Sequence, residues 1–423
     1  MISSLLFGDA SPAAAPVVQH LKNFFIPRRY PRSDAGSHSV RVAAIIPAFK
    51  PDALAIQLVR NLIHWNPDIA VYVVDDCTPE PYEALHNIFA AIRSISRRVT
   101  VLRTPANRMK AGAINYALET IYQFQRPLPD AILTLDDDVV ITPRTVRNLM
   151  IELFSADTFG AVCSQCRVLN KNANFLTRLQ GLEYIGFNAT RIADEGFFQG
   201  PLVMHGMLTA FRTEALRTVG KFTENHLIED YEITTRLKRA GWHVKSAPDA
   251  VAWTKVPERL GHLWRQRTRW LYGGIIIVTQ IRYWRAVVQD LIGHGLFLAT
   301  LGVIGASFLA GNGTVPAAVS AAIIVCSLVQ FVVWYLFNLW LMRFYPERDR
   351  VDWLIRASII PEFLYANLLT LILLGAYLFF IFTAIAARLT RAPVAVEWGV
   401  GKMRSIFGFL GYTERWGTRS ASS

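Results

Sequence analysis

The sequence has little cysteine, little charge and no sign of an export signal. Four cysteines in 423 residues are too few for a disulfide scaffold, which favours a reducing compartment for the soluble part of the chain. Cys163 and Cys166 have the spacing of half a zinc site, but no second pair exists, and residues three apart in a strand face opposite sides. Charged residues make up only 18% of the chain against 52% hydrophobic residues, which excludes a disordered protein. Residues 1–9 lack a basic segment and a long apolar core, so we expect no signal peptide.

The basic residues are distributed in a way that indicates a membrane rather than nucleic acid. Lys and Arg outnumber Asp and Glu by 12, but much of this excess flanks apolar stretches in the last third of the chain. After Pro257, arginines alternate with Trp and Tyr, as is typical of a segment lying on an anionic lipid surface. These arginines are Arg259, Arg265, Arg267, Arg269, Arg282 and Arg285. We therefore expect membrane lipids as partners and no nucleic acid.

Between Arg41 and about residue 256, short apolar runs alternate with helical patterns. The runs have the length of buried parallel strands and cover residues 42–46, 70–74, 99–102 and 131–135. The helical patterns cover residues 54–64 and 111–123. The second run leads into Asp75 and Asp76, and the fourth leads into residues 136–138, which are all aspartates. Because ligands bind outside the carboxyl ends of parallel strands, we expect both acidic clusters to face one crevice of an α/β domain.

Three apolar stretches in the last third reach the roughly 20 residues that a membrane-spanning helix needs. They are residues 291–310, 315–341 and about 363–387. Arginines between the second and third stretches fit the cytoplasmic side under the positive-inside rule. Three crossings would then place the basic tail on the outer side. Either the rule fails at the tail, or the third stretch is partly interfacial or re-entrant and the tail stays inside.

Five polar motifs follow one another in a fixed order before the apolar stretches. They are Asp75-Asp76, Lys110-x-Gly112-x-x-Asn115, Asp136-Asp137-Asp138, Glu229-Asp230 and Gln266-x-x-Arg269-Trp270. In this order and spacing they resemble the family 2 glycosyltransferases, in particular the processive membrane branch of cellulose, chitin, hyaluronan and poly-N-acetylglucosamine synthases. The resemblance implies a GT-A catalytic domain of Rossmann-like α/β fold, followed by an all-α transmembrane region.

The resemblance and the patterns together divide the chain into five expected segments. These are an N-terminal tail, in solution or on the membrane surface (1–40), a cytoplasmic GT-A domain (41–256), an amphipathic interface segment (257–286), transmembrane helices (287–390) and a C-terminal tail (391–423). We expect the protein in the cell membrane, with several membrane crossings.

Asp136 and Asp138 flank Asp137 at a strand end, so their side chains can point to the same side. Sugar transfer needs a divalent cation to neutralise the leaving diphosphate, and Mg²⁺ or Mn²⁺ is held through one or two carboxylates plus phosphate oxygens. The resemblance gives this pair the nucleotide and metal sites. The alternative is a group of helix N-caps before Pro143, although three adjacent acids need a counter-charge to coexist.

Three further residues are candidates for the donor nucleotide. The resemblance places Asp75 beside the uracil and ribose, while its alternative role is a turn former before Thr78. Lys110 offers a positive charge to phosphates at the start of a helix, and the resemblance adds Asn115 to the same motif. A lysine in a first helical turn is otherwise an ordinary solvated residue.

The acceptor hydroxyl must lose a proton as it attacks the anomeric carbon, which calls for a carboxylate within hydrogen-bond reach. Asp230 is the candidate base, beside Glu229, where the family has its Thr-Glu-Asp motif. Ile228 stands where the family usually has threonine, so a hydroxyl is missing while both acids are present. The alternative is a pair of first-turn acids that complement a helix dipole.

The motif at residues 266–270 matches the Gln-x-x-Arg-Trp signature of the processive members. The resemblance implies that Trp270 is an apolar platform for the acceptor sugar and that Gln266 and Arg269 reach the diphosphate. The alternative is a membrane-surface helix with ordinary interfacial residues. His205 and Gly206 resemble part of the acceptor-site segment of the family.

The resemblance predicts an inverting glycosyltransferase that polymerises a β-linked polysaccharide from a UDP-sugar and passes it into or across the membrane. We expect UDP-N-acetylglucosamine as the first donor and UDP-glucose as the second, with Mg²⁺ or Mn²⁺ as cofactor. A growing glycan or a lipid is the acceptor, and a homo-oligomer or an accessory export subunit could complete the channel. The alternatives are the transfer of one sugar to a lipid carrier, or an inactive membrane scaffold.

Overall fold

A computed structural model describes residues 40–79, 83–194, 198–224, 226–281, 283–285, 287–288, 302–310, 316–388 and 394–413. The chain divides into two compact units. The first contains Met1–Ile281 together with Leu369–Ser423, and the second contains Arg282–Leu368. The expected N-terminal tail lies outside the described residues, apart from its last position.

Eight strands form one sheet in the first unit. They are β1 (Val42–Ala48), β2 (Ala70–Asp75), β3 (Val99–Arg103), β4 (Ala131–Leu135), β5 (Val140–Ile141), β6 (Phe159–Val168), β7 (Leu208–Arg212) and β8 (His243–Thr254). Their order in the sheet is β3-β2-β1-β4-β7-β6-β8-β5. The four predicted apolar runs are strands β1 to β4, and they pair in parallel as expected.

Twelve helices are given labels here, in chain order. They are α1 (Ala53–Trp65), α2 (Glu83–Ser94), α3 (Met109–Phe124), α4 (Thr145–Leu153), α5 (Phe175–Ala193), α6 (Thr213–Val219), α7 (Glu229–Arg239), α8 (Leu260–Ile281), α9 (Ala317–Leu341), α10 (Arg350–Ser358), α11 (Ile360–Arg388) and α12 (Val394–Phe409). The predicted helices over 54–64 and 111–123 correspond to α1 and α3.

The second half of the sheet mixes strand directions. Strand β7 runs antiparallel to both β4 and β6, whereas β8 runs parallel to β6. The start of β7 and the end of β8 therefore lie at the same sheet edge as the carboxyl ends of β2 and β4. The two acidic clusters follow β2 and β4, so they share this edge as predicted.

The two faces of the sheet are covered by separate apolar clusters. One cluster joins the sheet to α1 and α4, and the other joins it to α3, α6 and α7. Cys166 belongs to the first cluster and Cys163 to the second, because alternate residues of β6 point to opposite faces. Among the described residues, no group of three His, Cys, Asp or Glu side chains could hold a metal ion by itself.

Two described helices are long and apolar enough to cross a membrane, by length and composition. They cover Ala317–Phe344 and Ile360–Arg388 and correspond to the second and third predicted stretches. Of the first predicted stretch, residues 302–310 are helical and the others lie outside the described part of the chain.

The division of the structure differs from the expected segment boundaries. Helix α8, expected as a separate interface segment, belongs to the first unit with the sheet. Its Tyr272 and Ile275 pack with Ala376 and Phe379 of α11 and with Tyr412 after α12. The later half of α11 and the region of α12 are thereby grouped with the sheet rather than with α9.

Candidate active site

The predicted site residues converge where β4 ends and β7 begins. The backbone amide of Asp136 donates to the carbonyl of Met207 at 3.0 Å, which places the aspartate beside the loop that leads into β7. The amide of Gly206 in this loop donates to Asp230 Oδ2 at 2.7 Å. Motifs separated by about a hundred residues in the sequence are therefore joined by two backbone contacts.

Lys110 lies at the centre of this convergence. Its Nζ is 2.5 Å from Asp136 Oδ1 and 3.3 Å from Glu229 Oε1, and it donates to the carbonyl of Gly206 at 2.9 Å. Burial lowers the pKa of the Lys110 ammonium, but the carboxylates of Asp136, Glu229 and Asp230 outweigh burial and raise that pKa overall. Lys110 is therefore a permanent positive charge, the counter-charge that the acidic cluster needs.

Asp230 has the electrostatics of a base that works near neutral pH. Burial, and then repulsion by Glu229, raise the pKa of its carboxyl group to about 6, against the lowering effects of Lys110 and of the amides of Gly206 and Tyr231. The Tyr231 amide donates to Oδ1 at 2.8 Å and fixes the carboxylate at the first turn of α7. With a pKa of about 6, Asp230 is ionised at pH 7 while retaining basicity.

Asp138 is held by the end of β8 rather than by Lys110. Thr254 Oγ1 donates to both of its carboxylate oxygens, at 3.1 and 3.2 Å. The alternative of helix N-caps is not supported, because α4 has Arg144 as its N-cap and no side chain caps it. A half-exposed carboxylate oriented by a hydroxyl fits a hard cation that takes its remaining ligands from a diphosphate and water.

Asp75 is buried at the end of β2 and combines two interactions. Its Oδ1 accepts from the Thr78 amide at 2.9 Å, which is the turn-forming contact considered above, and its Oδ2 pairs with Arg103. Arg103 also donates to the carbonyl of Thr78 at 3.0 Å. The carboxylate thus stands at the expected sheet edge, and Arg103 fixes its orientation.

Asn115 lies deeper than the other residues of its motif. It is buried in α3, where its side chain donates to the carbonyl of Phe222 at 2.8 Å and accepts from the Phe222 amide at 2.9 Å. It also donates to Glu224 at 3.0 Å, and Glu224 pairs with Arg108 at 2.5 Å. These contacts hold the loop before α7 against α3, so a direct nucleotide contact by Asn115 stays a prediction.

Helix α8 places Trp270 of the Gln-x-x-Arg-Trp motif against the residues that flank Glu229 and Asp230. Trp270 packs against the apolar cluster of Ile228, Tyr231 and Ile277, next in sequence to Glu229 and Asp230. Gln266 and Arg269 are half-buried on the same helix. Trp270 therefore lies close to Asp230. This is the position that its predicted role as a platform for the acceptor sugar requires.

The assignment of Arg267 to a lipid-facing surface is wrong. Its side chain is only 3% exposed, and its Nη2 is 2.6 Å from Glu183 Oε2 on α5. The partner lies 84 positions away in the sequence, so the alternation of Arg and Trp gave no sign of it. A buried guanidinium with a carboxylate partner is a feature of the protein interior, not of a membrane surface.

The structure separates the roles of the predicted pair His205 and Gly206. Gly206 joins the acidic cluster, while the His205 ring is buried and its Nε2 lies 2.6 Å from the carbonyl of Ser164 on β6. Burial, followed by the charge of Arg191, lowers the pKa of the imidazole to about 3. His205 is thus neutral near pH 7, and a contact with the acceptor stays a prediction.

Thr254, Arg103 and Glu224 are residues of this edge that sequence reasoning missed. Each acts on a predicted residue through a long-range contact: Thr254 on Asp138, Arg103 on Asp75 and Glu224 on Asn115. The positions of Thr254 and Arg103 at strand ends were the available signal. No local pattern marks Glu224, because its role depends on the folding of a loop.

The comparisons with known proteins identify the family of the chain. The family model for glycosyl transferase family group 2 matches residues 131–383, so the chain belongs to this family and is a glycosyltransferase. It is 26% identical over 241 residues to a probable glycosyltransferase, YdaM, of Bacillus subtilis, covering 56% of each chain. It is 31% identical over 169 residues to a poly-beta-1,6-N-acetyl-D-glucosamine synthase of Staphylococcus aureus, covering 40% of this chain and 39% of that one. The chain thus spans about half the length, or less, of these two curated relatives.

One solved structure supports the fold class. A mannosyltransferase of Pyrobaculum calidifontis, crystallised with GDP-Man and Mn²⁺, matches with a TM-score of 0.50 and 20% identity, over 79% of this chain and 95% of that one. This likeness concerns the fold. The predicted fold class is confirmed: a Rossmann-like α/β domain of GT-A type is followed by a helical region with two candidate membrane-spanning helices.

Proposed function

We propose that this glycosyltransferase polymerises a β-linked polysaccharide from a UDP-sugar, with inversion at the anomeric carbon. UDP-N-acetylglucosamine is our first donor and UDP-glucose the second. One observation carries the proposal: the Asp230 carboxylate is near enough to Lys110 to be stabilised by its charge, and the next residue, Tyr231, belongs to the apolar cluster that Trp270 packs against. The similarity to a bacterial poly-beta-1,6-N-acetyl-D-glucosamine synthase supports the choice of donor.

Asp230 is the catalytic base in this proposal. It takes the proton from the acceptor hydroxyl as the oxygen attacks the anomeric carbon and the bond to the diphosphate breaks. The bond forms on the face opposite the leaving group, so one step inverts the configuration. The ordered Oδ1 and Oδ2 contacts to the Tyr231 and Gly206 amides keep the carboxylate in one orientation for this step.

The donor binds at the edge where the acidic clusters meet. Asp75 and Asp136 contact the nucleotide, and Asp138, with Asp136, holds Mg²⁺ or Mn²⁺. A cation held by these carboxylates would supply positive charge to the leaving diphosphate. Lys110 adds a second positive charge, because its ammonium group lies 2.5 Å from Asp136 Oδ1.

The acceptor glycan or lipid contacts Trp270 and the loop at Gly206. In this arrangement Gln266 and Arg269 reach the diphosphate from α8. We propose a membrane-bound protein with its catalytic domain (41–256) on the cytoplasmic side and its membrane region after α8, based on the two apolar helices. An oligomer or an accessory subunit completes the export path where one chain does not.

The test is nucleotide release by membranes that contain the protein, with a panel of UDP-sugars and with Mn²⁺, Mg²⁺ or EDTA. We expect metal-dependent UDP release with one donor and a long product on a sizing gel. The control is Asp230→Asn, which preserves size and removes the base. It should bind UDP-sugar and release no UDP above background.

The other outcomes separate the alternatives. Metal-dependent release with only single additions would favour transfer to a lipid carrier and end the polymerase proposal. No release with any donor, from protein that still binds UDP, would point to a scaffold or a missing subunit.

A further inference from the structure

The Arg267 guanidinium contacts Glu183, Gln266 and Trp270, which all belong to the first unit. Its Nη2 donates to Glu183 Oε2 at 2.6 Å, and its Nη1 donates to Gln266 Oε1 at 2.8 Å. Its Cζ lies 4.1 Å from the centre of the Trp270 ring. One buried side chain therefore contacts two of the three signature residues and links both to α5.

Stability does not explain why this charge is buried. Moving an ion pair out of water costs several kcal/mol per ion, and apolar residues of similar volume are often as stable or more so. The geometry uses what arginine alone offers, a planar fork that binds two acceptors while stacking on a ring. A lysine or an apolar residue would fill the space without orienting the neighbours.

The contact with Gln266 determines which atoms of its amide face outward. Arginine has only donors, so the Gln266 oxygen must point to Arg267. The amide nitrogen, which carries two donors, then points away from Arg267. Donors are what a diphosphate requires, whereas the reversed amide would present an oxygen that repels phosphate.

The contact with Trp270 fixes one face of the indole. A cation over the ring centre is attracted by the negative face of the π-system and restrains rotation of the side chain. Trp270 also packs against the apolar cluster of Ile228, Tyr231 and Ile277. The ring is thus held in place by Arg267 and by the residues that precede and follow the Glu229-Asp230 pair.

We propose that Arg267 is a positioning residue, which sets Gln266 as a donor toward the diphosphate and Trp270 as a platform for the acceptor. Glu183 serves by neutralising Arg267 inside the protein. This inference rests on the proposed roles of Gln266 and Trp270, and it assigns to Arg267 and Glu183 the task of keeping both in register.

The test compares Arg267→Met with a matched control elsewhere in the same unit. Lys245 and Glu152 form another buried ion pair, with Nζ and Oε2 2.5 Å apart and side chains 2% and 8% exposed. Lys245 also lies 4.7 Å from the centre of an aromatic ring, that of Phe159. Lys245→Met therefore removes a charge, an ion pair and a cation–π contact without touching α8.

We expect both variants to lower the melting temperature, and only Arg267→Met to change the kinetics. It should lower kcat for UDP release by about 100-fold, the scale of a misplaced substrate contact, and raise the donor KM about tenfold. Lys245→Met should stay within about twofold of the unchanged protein in both constants, as expected of a change remote from the site. Equal kinetic constants for the two variants would overturn the proposal.

Two further measurements keep the test decisive. Arg267→Lys keeps the charge beside Glu183 but lacks the fork, so it should regain stability without regaining kcat; full kcat in this variant would also overturn the proposal. Calorimetric titration of UDP with Mn²⁺ measures the Gln266 contribution without turnover, and we expect about tenfold weaker binding for Arg267→Met. Unchanged UDP affinity in Arg267→Met would contradict the proposed orientation of Gln266 by Arg267. Single additions by the unchanged protein would instead refute polymerisation and leave the Arg267 comparison valid.

Discussion

At the scale of single residues, the carboxyl group of Asp230 experiences opposing effects on its pKa. Burial and the neighbouring Glu229 raise it, whereas Lys110 and two backbone amides lower it, and the result is about 6. A base must be ionised to accept a proton, so activity should fall as the pH drops below this value. The acid limb of the pH profile therefore reports the balance between Glu229 and Lys110.

Replacing Lys110 with methionine should move that limb to higher pH. Removing the Lys110 charge makes ionisation of Asp230 less favourable, so the pKa of Asp230 rises. The measurement is kcat/KM against pH between 4.5 and 8.5, where the limb position is independent of any loss in donor affinity. Lys221→Met is the control, because Lys221 is an exposed lysine whose partner is Glu119. An unmoved limb in Lys110→Met would contradict the assignment of the base.

Gly206→Ala should abolish most activity with little loss of stability. An added Cβ would lie 2.6 Å from Lys110 Nζ and 3.2 Å from Asp230 Oδ2. The flexible lysine can withdraw, so the fold survives, but its contact with Asp136 is lost. We expect kcat to fall by about 100-fold, while the melting temperature changes by less than about 4 °C. Gly261→Ala on α8 is the control, since its added Cβ meets nothing within 4 Å.

The site residues that could be predicted are those whose chemistry shows in a local pattern. Asp75, Asp136 and Asp138 follow strands, and Glu229 and Asp230 open a helix, so position and residue type sufficed. Arg267 and Asn115 were misjudged or left open, because their partners lie 84 and 107 positions away. No periodicity shows which distant side chain neutralises a buried charge.

At the scale of strands and helices, the sequence predicted the parallel half of the sheet well. Strands β1 to β4 are short, continuous apolar runs, since parallel strands are buried on both faces. The antiparallel strand β7 and the long strands β6 and β8 were not predicted as a set. Their pairing depends on contacts such as β4 with β7, which join residues about 75 positions apart. Helix α8 was expected at a membrane surface because its arginines alternate with Trp and Tyr. Its buried face contacts elements far away in the sequence, which no local pattern shows.

The packing of α8 on the loop before α7 explains why Ile228 is compatible with this site. An added Cβ at Gly273 would lie 2.7 Å from Ile228 Cγ1 and 3.1 Å from Leu227 Cβ. Ile228 is the N-cap of α7 and, unlike a threonine, has no side-chain oxygen that could cap the helix. In exchange it is 9% exposed and fills the space over the glycine. The contact couples the helix of Trp270 to the start of α7, which carries Asp230.

Gly273→Ala should therefore disturb the base through α8. Overpacking should cost about 1–3 kcal/mol of stability, and the displaced loop should lower kcat by about tenfold or more. Gly274→Ala is a control one position away, where the nearest atom to the added Cβ is 3.6 Å distant. Truncation in the double variant Gly273→Ala, Ile228→Ala should restore part of kcat. Equal kcat for the two glycine variants would disprove the coupling.

At the scale of the whole molecule, the side of the C-terminal tail was left open by the sequence. The positive-inside rule and the count of apolar stretches gave conflicting answers. The structure adds three hydrogen bonds: Trp264 Nε1 to the carbonyl of Leu410 at 2.7 Å, Thr268 Oγ1 to that of Gly411 at 3.3 Å, and Tyr412 Oη to that of Ile372 at 2.8 Å. The first two join the segment after α12 to the N-terminal half of α8.

A segment hydrogen-bonded to Trp264 and Thr268 must lie on the side of the membrane where that part of α8 lies. We therefore expect Thr413 on the same side of the membrane as Lys221, which belongs to the same compact unit as that part of α8. The measurement is labelling of Thr413→Cys by a membrane-impermeant maleimide, in a background with the four native cysteines replaced. Thr413 and the reference position Lys221 are both exposed. Protection of both single cysteines in intact cells, with labelling after lysis, would agree with the hydrogen bonds. Labelling of Thr413→Cys alone in intact cells would show that the tail is on the other side, since Trp264 and Leu410 cannot then be in contact.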